Sequence, residues 1–338
     1  MNAAVGRLRP RGRVDLGDYP VDAAWSNDGK TLIVAGGEGA ILRLSSSGTD
    51  PAQVIGRHPS GVLAVSWQKA GRLFVTSGQD GAVLLWDARS LTPQKIQQAA
   101  QWSQRLAFSD SGRWLAVASG KTLHLYDDSG KLQHRLDDHP GSIAAIGWRP
   151  KSHEVAAAGN NGLRVHRLEP ELQLRDFRAR GACLTAAWHP EGRVLAAGMQ
   201  DGTINLWNVA TGTQSDIQGL GSRVFATEWS SNGRYLAAAA SSALVGWDSQ
   251  SKSSQSSQPF ELRAHSDRLT ALSFRPSGTW LVSAARDRRL LLWRVGAAEH
   301  PQDAHLLPDE GTVLRFSRDG ALLAVGDALG GLTIYECS

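Results

Sequence analysis

One unit is written eight times along these 338 residues. Each copy is an apolar strand ending in Trp or Phe, a polar turn with Gly, a small-residue strand, and a third strand ending in an aromatic or a substitute for one. The first landmark falls at Trp25, Trp67, Phe108, Trp148, Trp188, Trp229, Phe274 and Phe316. The second falls at Leu44, Trp86, Tyr126, His166, Trp207, Trp247, Trp293 and Tyr335, so successive copies are 42, 40, 40, 41, 40, 46 and 42 residues apart. A period of this length with several short strands per copy marks a ring of four-stranded blades. The expected fold is all-β: one closed eight-bladed β-propeller of four-stranded antiparallel blades.

Strand assignment rests on alternation and turn chemistry. In copy two, Leu63, Val65 and Trp67 alternate with smaller or polar neighbours, Ala70-Gly71 turns the chain, and Asp80-Gly81 joins two further strands. A hairpin of that kind is expected to hold both central residues at positive φ. The same turn recurs at Asp201-Gly202 and as Asn161-Gly162. The first turns are equally regular, at Asp28-Gly29, Ser111-Gly112, Glu191-Gly192, Asn232-Gly233, Ser277-Gly278 and Asp319-Gly320.

Between copies lie more polar outer strands, at 52–56, 94–99, 131–136, 171–177, 214–218, 259–263 and 304–307. Seven linkers serve eight three-stranded units, so the last blade lacks a strand. Residues 11–16 supply it, and joining the termini removes two sheet edges. The blades then span about 19–57, 58–101, 102–138, 139–180, 181–221, 222–264, 265–308, and 309–338 with 10–18, all within one domain covering 1–338. Seven blades is the alternative, reached if a weak copy merges with its neighbour; copies one and eight, with Leu44 and Tyr335 in place of Trp, are the weakest. The Ser/Gln/Lys stretch at 249–258 has nothing apolar to bury and reads as a flexible loop, which explains the one long spacing.

Copy two contains His58, Thr76, Asp80 and Trp86; copy seven contains His265, Ser283, Asp287 and Trp293. Both sets share the spacings 18, 4 and 6. With the Trp-Asp pairs at 86–87 and 247–248, this resembles the WD40-repeat (WD-repeat) β-propeller family, whose better blades hold a Trp–Ser/Thr–His–Asp hydrogen-bond network. The resemblance implies a structural role for both tetrads, not a hydrolase triad. Elsewhere the set is incomplete. Copy five keeps Asp201 and Trp207 but has Ala197 at the hydroxyl position, copy four has His139, Asn161 and His166, and copies three and six lack the hairpin Asp. Those blades should rely on apolar packing, notably of Leu115, Val117 and Leu236.

In that family partners commonly dock around the channel on the face carrying the Asp hairpins. The position six before the first landmark gives Tyr19, Trp102, Arg223 and Arg268. Four before it gives Gln104 and Phe225, and the residue before the hairpin Asp gives Gln79, Gln200 and Arg286. Aromatics and arginines are what interface hot spots prefer. Arg223, Phe225, Arg268 and Arg286, on adjacent blades, form the patch best suited to an acidic protein segment.

No phosphate loop, CxxC pair, HExxH, GxSxG or dinucleotide fingerprint is present, so no cofactor and no catalytic residue are expected. The loop carrying His300 and His305 beside Glu299 and Asp303 is a weak metal candidate that matches no standard zinc spacing. Net charge is +4. The densest basic run, Arg7, Arg9, Arg11 and Arg13, reads as a solvated tail, and nucleic-acid binding is not favoured. Two cysteines, Cys183 and Cys337, read as free thiols of a reducing compartment. With no signal-like leader and no run of apolar residues long enough for a membrane span, the expectation is a cytoplasmic monomer. Ala, Gly and Arg outnumber Lys in the manner of a bacterial GC-rich genome. The function this composes is a non-catalytic protein–protein interaction scaffold; the alternative is a metal-handling or enzymatic propeller with its site at the channel mouth or in the 299–305 loop.

Overall fold

A strand covered by neighbours on both faces must be apolar throughout, and the second strand of each copy is such a run. Leu32 to Gly36, Trp114–Ser119 and Tyr235–Ala240 are buried at every position. The outer strands, such as Leu132–Leu136 and Gln214–Ile217, are largely exposed and polar. Burial therefore falls from the inside of each sheet to its rim, as a radial stack of sheets requires.

The structure, a computed structural model, describes residues 6–137, 139–250 and 259–338. These form eight antiparallel sheets, and every first landmark closes the inner strand of its sheet. Blade two shows the pattern: inner strand Val62–Trp67, then Leu73–Gly78, Ala82–Asp87 and the outer Pro93–Gln98. The eight inner strands touch one another in ring order, the last against the first. The protein is a closed eight-bladed propeller.

Closure follows the expected route. Leu8–Asp15 pairs antiparallel with Gly331–Cys337, from Leu8 opposite Cys337 to Asp15 opposite Gly331. The arginine run is not a free tail: Arg9, Arg11 and Arg13 lie on this closing strand, and Arg13 forms an ion pair with the buried Asp327. A core of Leu32, Val34 and Leu42 packs against Leu322, Leu332 and Ile334 across the seam, so the first and last blades are joined by side chains as well as backbone. Leu115, Val117 and Leu236 are buried.

Two local expectations need correction. At Asp80-Gly81 and Asp201-Gly202 only the glycine has positive φ, 75° and 87°. The aspartates instead accept from the backbone two residues on, Ala82 N at 3.1 Å and Thr203 N at 3.0 Å. Only Asn161-Gly162 has both residues positive, at 66° and 131°. There the two middle strands of blade four run as one unbroken element, Glu154–Arg167, and the outer strand Gln173–Ala182 continues past the predicted end at Phe177. The loop assigned to 249–258 falls, for 251–258, outside the described residues.

The first-landmark tryptophans also stitch blade to blade. Trp25, Trp148, Trp188 and Trp229 donate their indole N–H to the carbonyls of Arg315, Ala107, Gly147 and Ala187, at 2.9, 2.9, 2.9 and 3.2 Å. Each acceptor is the residue just before the preceding blade's own landmark. Trp67 breaks the rule: it donates weakly to Gly71 O of its own turn, at 3.4 Å.

Candidate functional site: the rim and lining of the channel

Two faces bound the ring. One carries the hairpin tips with Asp80 and Asp287, and the other carries the first turns of the copies. On the hairpin face, the tip and the chain six residues before the landmark are joined by backbone bonds. Gly37 N donates to Tyr19 O, Gln79 N to Gly61 O, Gln200 N to Ala182 O and Arg286 N to Arg268 O, at 2.9–3.0 Å. Positions read separately from the sequence thus meet on one rim.

The position four before the landmark has its own physical identity. In six blades the inner strand carries a β-bulge, and the extra residue is Val21, Leu63, Gln104, Phe225, Thr270 or Thr312. A bulge breaks the alternation of side chains and re-aims one of them. Thr270 and Thr312 use that freedom to donate to the next blade, to Gly311 O at 2.5 Å and Pro20 O at 2.8 Å. Gln104 and Phe225 occupy the same position.

The candidates form two patches. Trp102, about half exposed, and Gln104 border a cavity of about 360 Å³ with Ile143 of the next blade. On blades six and seven the Arg268 guanidinium lies over the Phe225 ring, 5.7 Å from its centroid. Arg223, two residues before Phe225, is exposed. Arg286 adjoins Arg268 but is held by Glu310 at 3.1 Å, so it adds little positive charge to this patch. Tyr19, Gln79 and Gln200 stand on other blades and join neither patch.

Both complete tetrads are connected. In blade two, His58 meets Asp80 through Nδ1 and Thr76 through Nε2, each at 3.0 Å, and Trp86 Nε1 donates to Thr76 Oγ1 at 3.0 Å. In blade seven, His265 meets Asp287 at 3.0 Å and Ser283 at 2.8 Å, and Trp293 Nε1 donates to Ser283 Oγ at 2.8 Å. Burial holds both imidazoles below the ordinary histidine pKa, although their aspartates pull the other way. The neutral ring is the one that completes the chain, donating from Nδ1 and accepting from the hydroxyl at Nε2. Where the hydroxyl is missing, in blade six, the buried Trp247 N–H has no partner among the described residues. Blade four brings His139 and His166 together, Nε2 to Nε2 at 3.3 Å.

Sequence reading missed a third polar network and the channel lining. In blade three, Tyr126 donates to Gln97 Oε1 at 2.6 Å, and Gln97 donates to Ser119 at 2.7 Å. Gln97 belongs to the previous blade's outer strand, so this network crosses the blade boundary. Inside the channel Arg315 donates to Asp22 at 2.7 Å, Arg105 donates to Ala144 O at 2.7 Å, and Glu228 accepts from Phe274 N at 3.0 Å. Enclosure by protein pushes the Glu228 carboxyl up to about 7, against the Phe274 N–H and the charge of Arg315. The available signal was the single charged residue in each of these inner strands, Asp22, Arg105, Glu228 and Arg315.

His305 bonds Asp303 at 3.2 Å and packs its ring on Tyr335, and no three His, Cys, Asp or Glu side chains converge among the described residues.

A family model described as "WD domain, G-beta repeat" matches residues 49–87, 102–127, 173–208 and 256–294. The chain is a WD-repeat β-propeller. It is 24% identical over 300 residues to "Cell division cycle 20.4, cofactor of APC complex" of Arabidopsis thaliana, covering 82% of this chain and 66% of that protein. It is 24% identical over 289 residues to "WD repeat-containing protein slp1" of Schizosaccharomyces pombe, covering 82% and 58%. To "Serine-threonine kinase receptor-associated protein" of Gallus gallus it is 23% identical over 185 residues, covering 53% and 52%. The WD-repeat chain thus spans between about half and two thirds of the length of these relatives. All three are eukaryotic and lend no support to a bacterial reading of the composition. Among solved structures it resembles the computationally designed Ika8 protein, with a TM-score of 0.79 and 19% identity over 97% of this chain and 99% of that one, which speaks to fold alone.

Proposed function

We propose that this propeller is a non-catalytic platform, acting as a cytoplasmic monomer, that holds a protein partner on its hairpin face. Blades six and seven would grip an acidic segment of that partner. The observation that carries the reading is the Arg268 guanidinium lying over the partly exposed ring of Phe225, with the exposed Arg223 on the same strand end. Among the described residues neither the Arg223 nor the Arg268 side chain meets a carboxylate, and a guanidinium already oriented over a ring presents its fork to a carboxylate at little entropic cost. The names of the relatives, a cofactor of one complex and a receptor-associated protein, support a role exercised through other proteins. No helix among the described residues is long and apolar enough to cross a membrane.

The test is charge reversal on a rigid surface. Arg223→Glu with Arg268→Glu should deplete acidic peptides from those selected on the immobilised protein, while Arg9→Glu on the closing strand changes nothing. An unchanged peptide set would remove the acidic-segment reading. Turnover that survives purification and maps to the channel mouth would remove the non-catalytic one.

A further inference from the structure

The turn face carries an exception to an otherwise regular device. Four landmark tryptophans point their indole N–H at the preceding blade, and Trp67 does not. Its ring lies instead on Phe74 of its own blade, with centroids 5.2 Å apart and planes 24° apart. With that latch unmade, space opens on both sides of the indole. One cavity, of about 300 Å³, enters between blades one and two beside Ile33 and Leu91. The other, of about 540 Å³, occupies the channel mouth and is walled by Trp25, Trp67, Phe316 and Pro276. Concave, partly aromatic cavities of this size are where small ligands bind.

Charge at the mouth is unbalanced. Arg318, from the turn of blade eight, reaches over blade one to bond Asn27 Oδ1 and the backbone carbonyl of Lys69. Both acceptors are neutral, and among the described residues Arg318 has no ion-pair partner. The carboxylate at this mouth, Asp110, is paired with Lys69 and feels Arg318 only at longer range. One acid against two bases leaves a guanidinium charge at the lip of an aromatic pocket, with donors to spare.

We propose that the turn-face mouth is a binding site for a small planar aromatic carboxylate. The ring would lie against Trp67 and Phe316, and the carboxylate would pair with Arg318. Stacking and the quadrupole edge of the indoles favour a flat ring, and the fork of Arg318 favours a carboxylate over a hydroxyl. The site lies on the face opposite the proposed acidic-segment patch and does not depend on it.

Calorimetric titration of the intact chain with 2-naphthoate tests this, with 2-naphthalenemethanol and cyclohexanecarboxylate as controls for charge and ring. Saturable binding of one equivalent of naphthoate is expected, with both controls at least about tenfold weaker. Arg318→Gln, on an exposed turn, should bring the acid down to the affinity of the alcohol and leave the alcohol unchanged. Trp67→Leu should weaken both. If Trp67→Leu melts early, Trp67→Phe keeps a smaller ring and should weaken both by less. Absence of saturation by about 5 mM naphthoate, or equal binding by wild type and Arg318→Gln, would overturn the assignment.

Discussion

Glu228→Gln should make the protein more stable in alkali and leave it unchanged in acid. The carboxyl is enclosed by the channel wall, and its pKa rises from an ordinary 4.5 to about 7. A folded pKa above the unfolded one contributes stability that is complete below about pH 4.5, declines as pH rises, and is gone once pH passes about 7. The rise of about 2.5 units, at about 1.36 kcal/mol each, sets the penalty of the charged form at no more than about 3 kcal/mol, less whatever channel water screens. Glutamine keeps an oxygen for the Phe274 N–H without the charge. At roughly 2 °C per kcal/mol for a chain of this size, Tm at about pH 9 should rise by about 4–6 °C in the variant, while the two proteins melt together at about pH 4. Calorimetric scans at one fixed rate across that range measure the difference. A Tm gap that does not change with pH, or a variant that melts lower in alkali, would refute the enclosed-carboxyl reasoning.

The tetrad aspartates should differ in worth. Asp287 accepts from His265 and from the backbone of Ser266 and Arg289, and its side chain is nearly buried, whereas Asp80 is part-exposed and serves His58 and Ala82. Asp287→Ala should therefore cost about 2–3 kcal/mol and Asp80→Ala about 1, read by urea unfolding; equal losses would contradict the network account. The depressed pKa of His58 and His265 makes their contribution full above about pH 6.5 and lost as pH falls through the lower folded value, so in the Glu228→Gln background Tm should begin to drop on acidification below about pH 6.5. Replacing Trp148 or Trp188 by Phe leaves a carbonyl of the neighbouring blade unbonded and should cost about 1 kcal/mol more in urea unfolding than the same change at Trp67. Deleting residues 1–15 bares the edge of Gly331–Cys337, and light scattering should show concentration-dependent association that the full chain lacks.

Much of this protein was legible in the chain because a blade is a local object. Its strands lie within one repeat length, so alternation, Asp-Gly and Asn-Gly turns, and the spacing of His58, Thr76, Asp80 and Trp86 announce themselves without knowledge of any neighbour. Even the closing strand followed from counting. Within a blade, errors were small and had local causes: Asp80 caps a turn where positive φ was expected of it, and the outer strand of blade four overruns because Asn161-Gly162 lets its hairpin continue unbroken.

What lies between blades was decided by the ring. Arg315 reaches Asp22, Trp25 reaches Arg315 O and Arg318 reaches Lys69 O only because the last copy is folded back beside the first. Nothing in the sequence tells that Arg286 is spent on Glu310, or that a bulge turns Phe225 toward Arg268. The physical reason is range. Strand and turn preferences act over a few residues, whereas contacts between sheets depend on how eight twisted blades share one circumference, which no single repeat encodes.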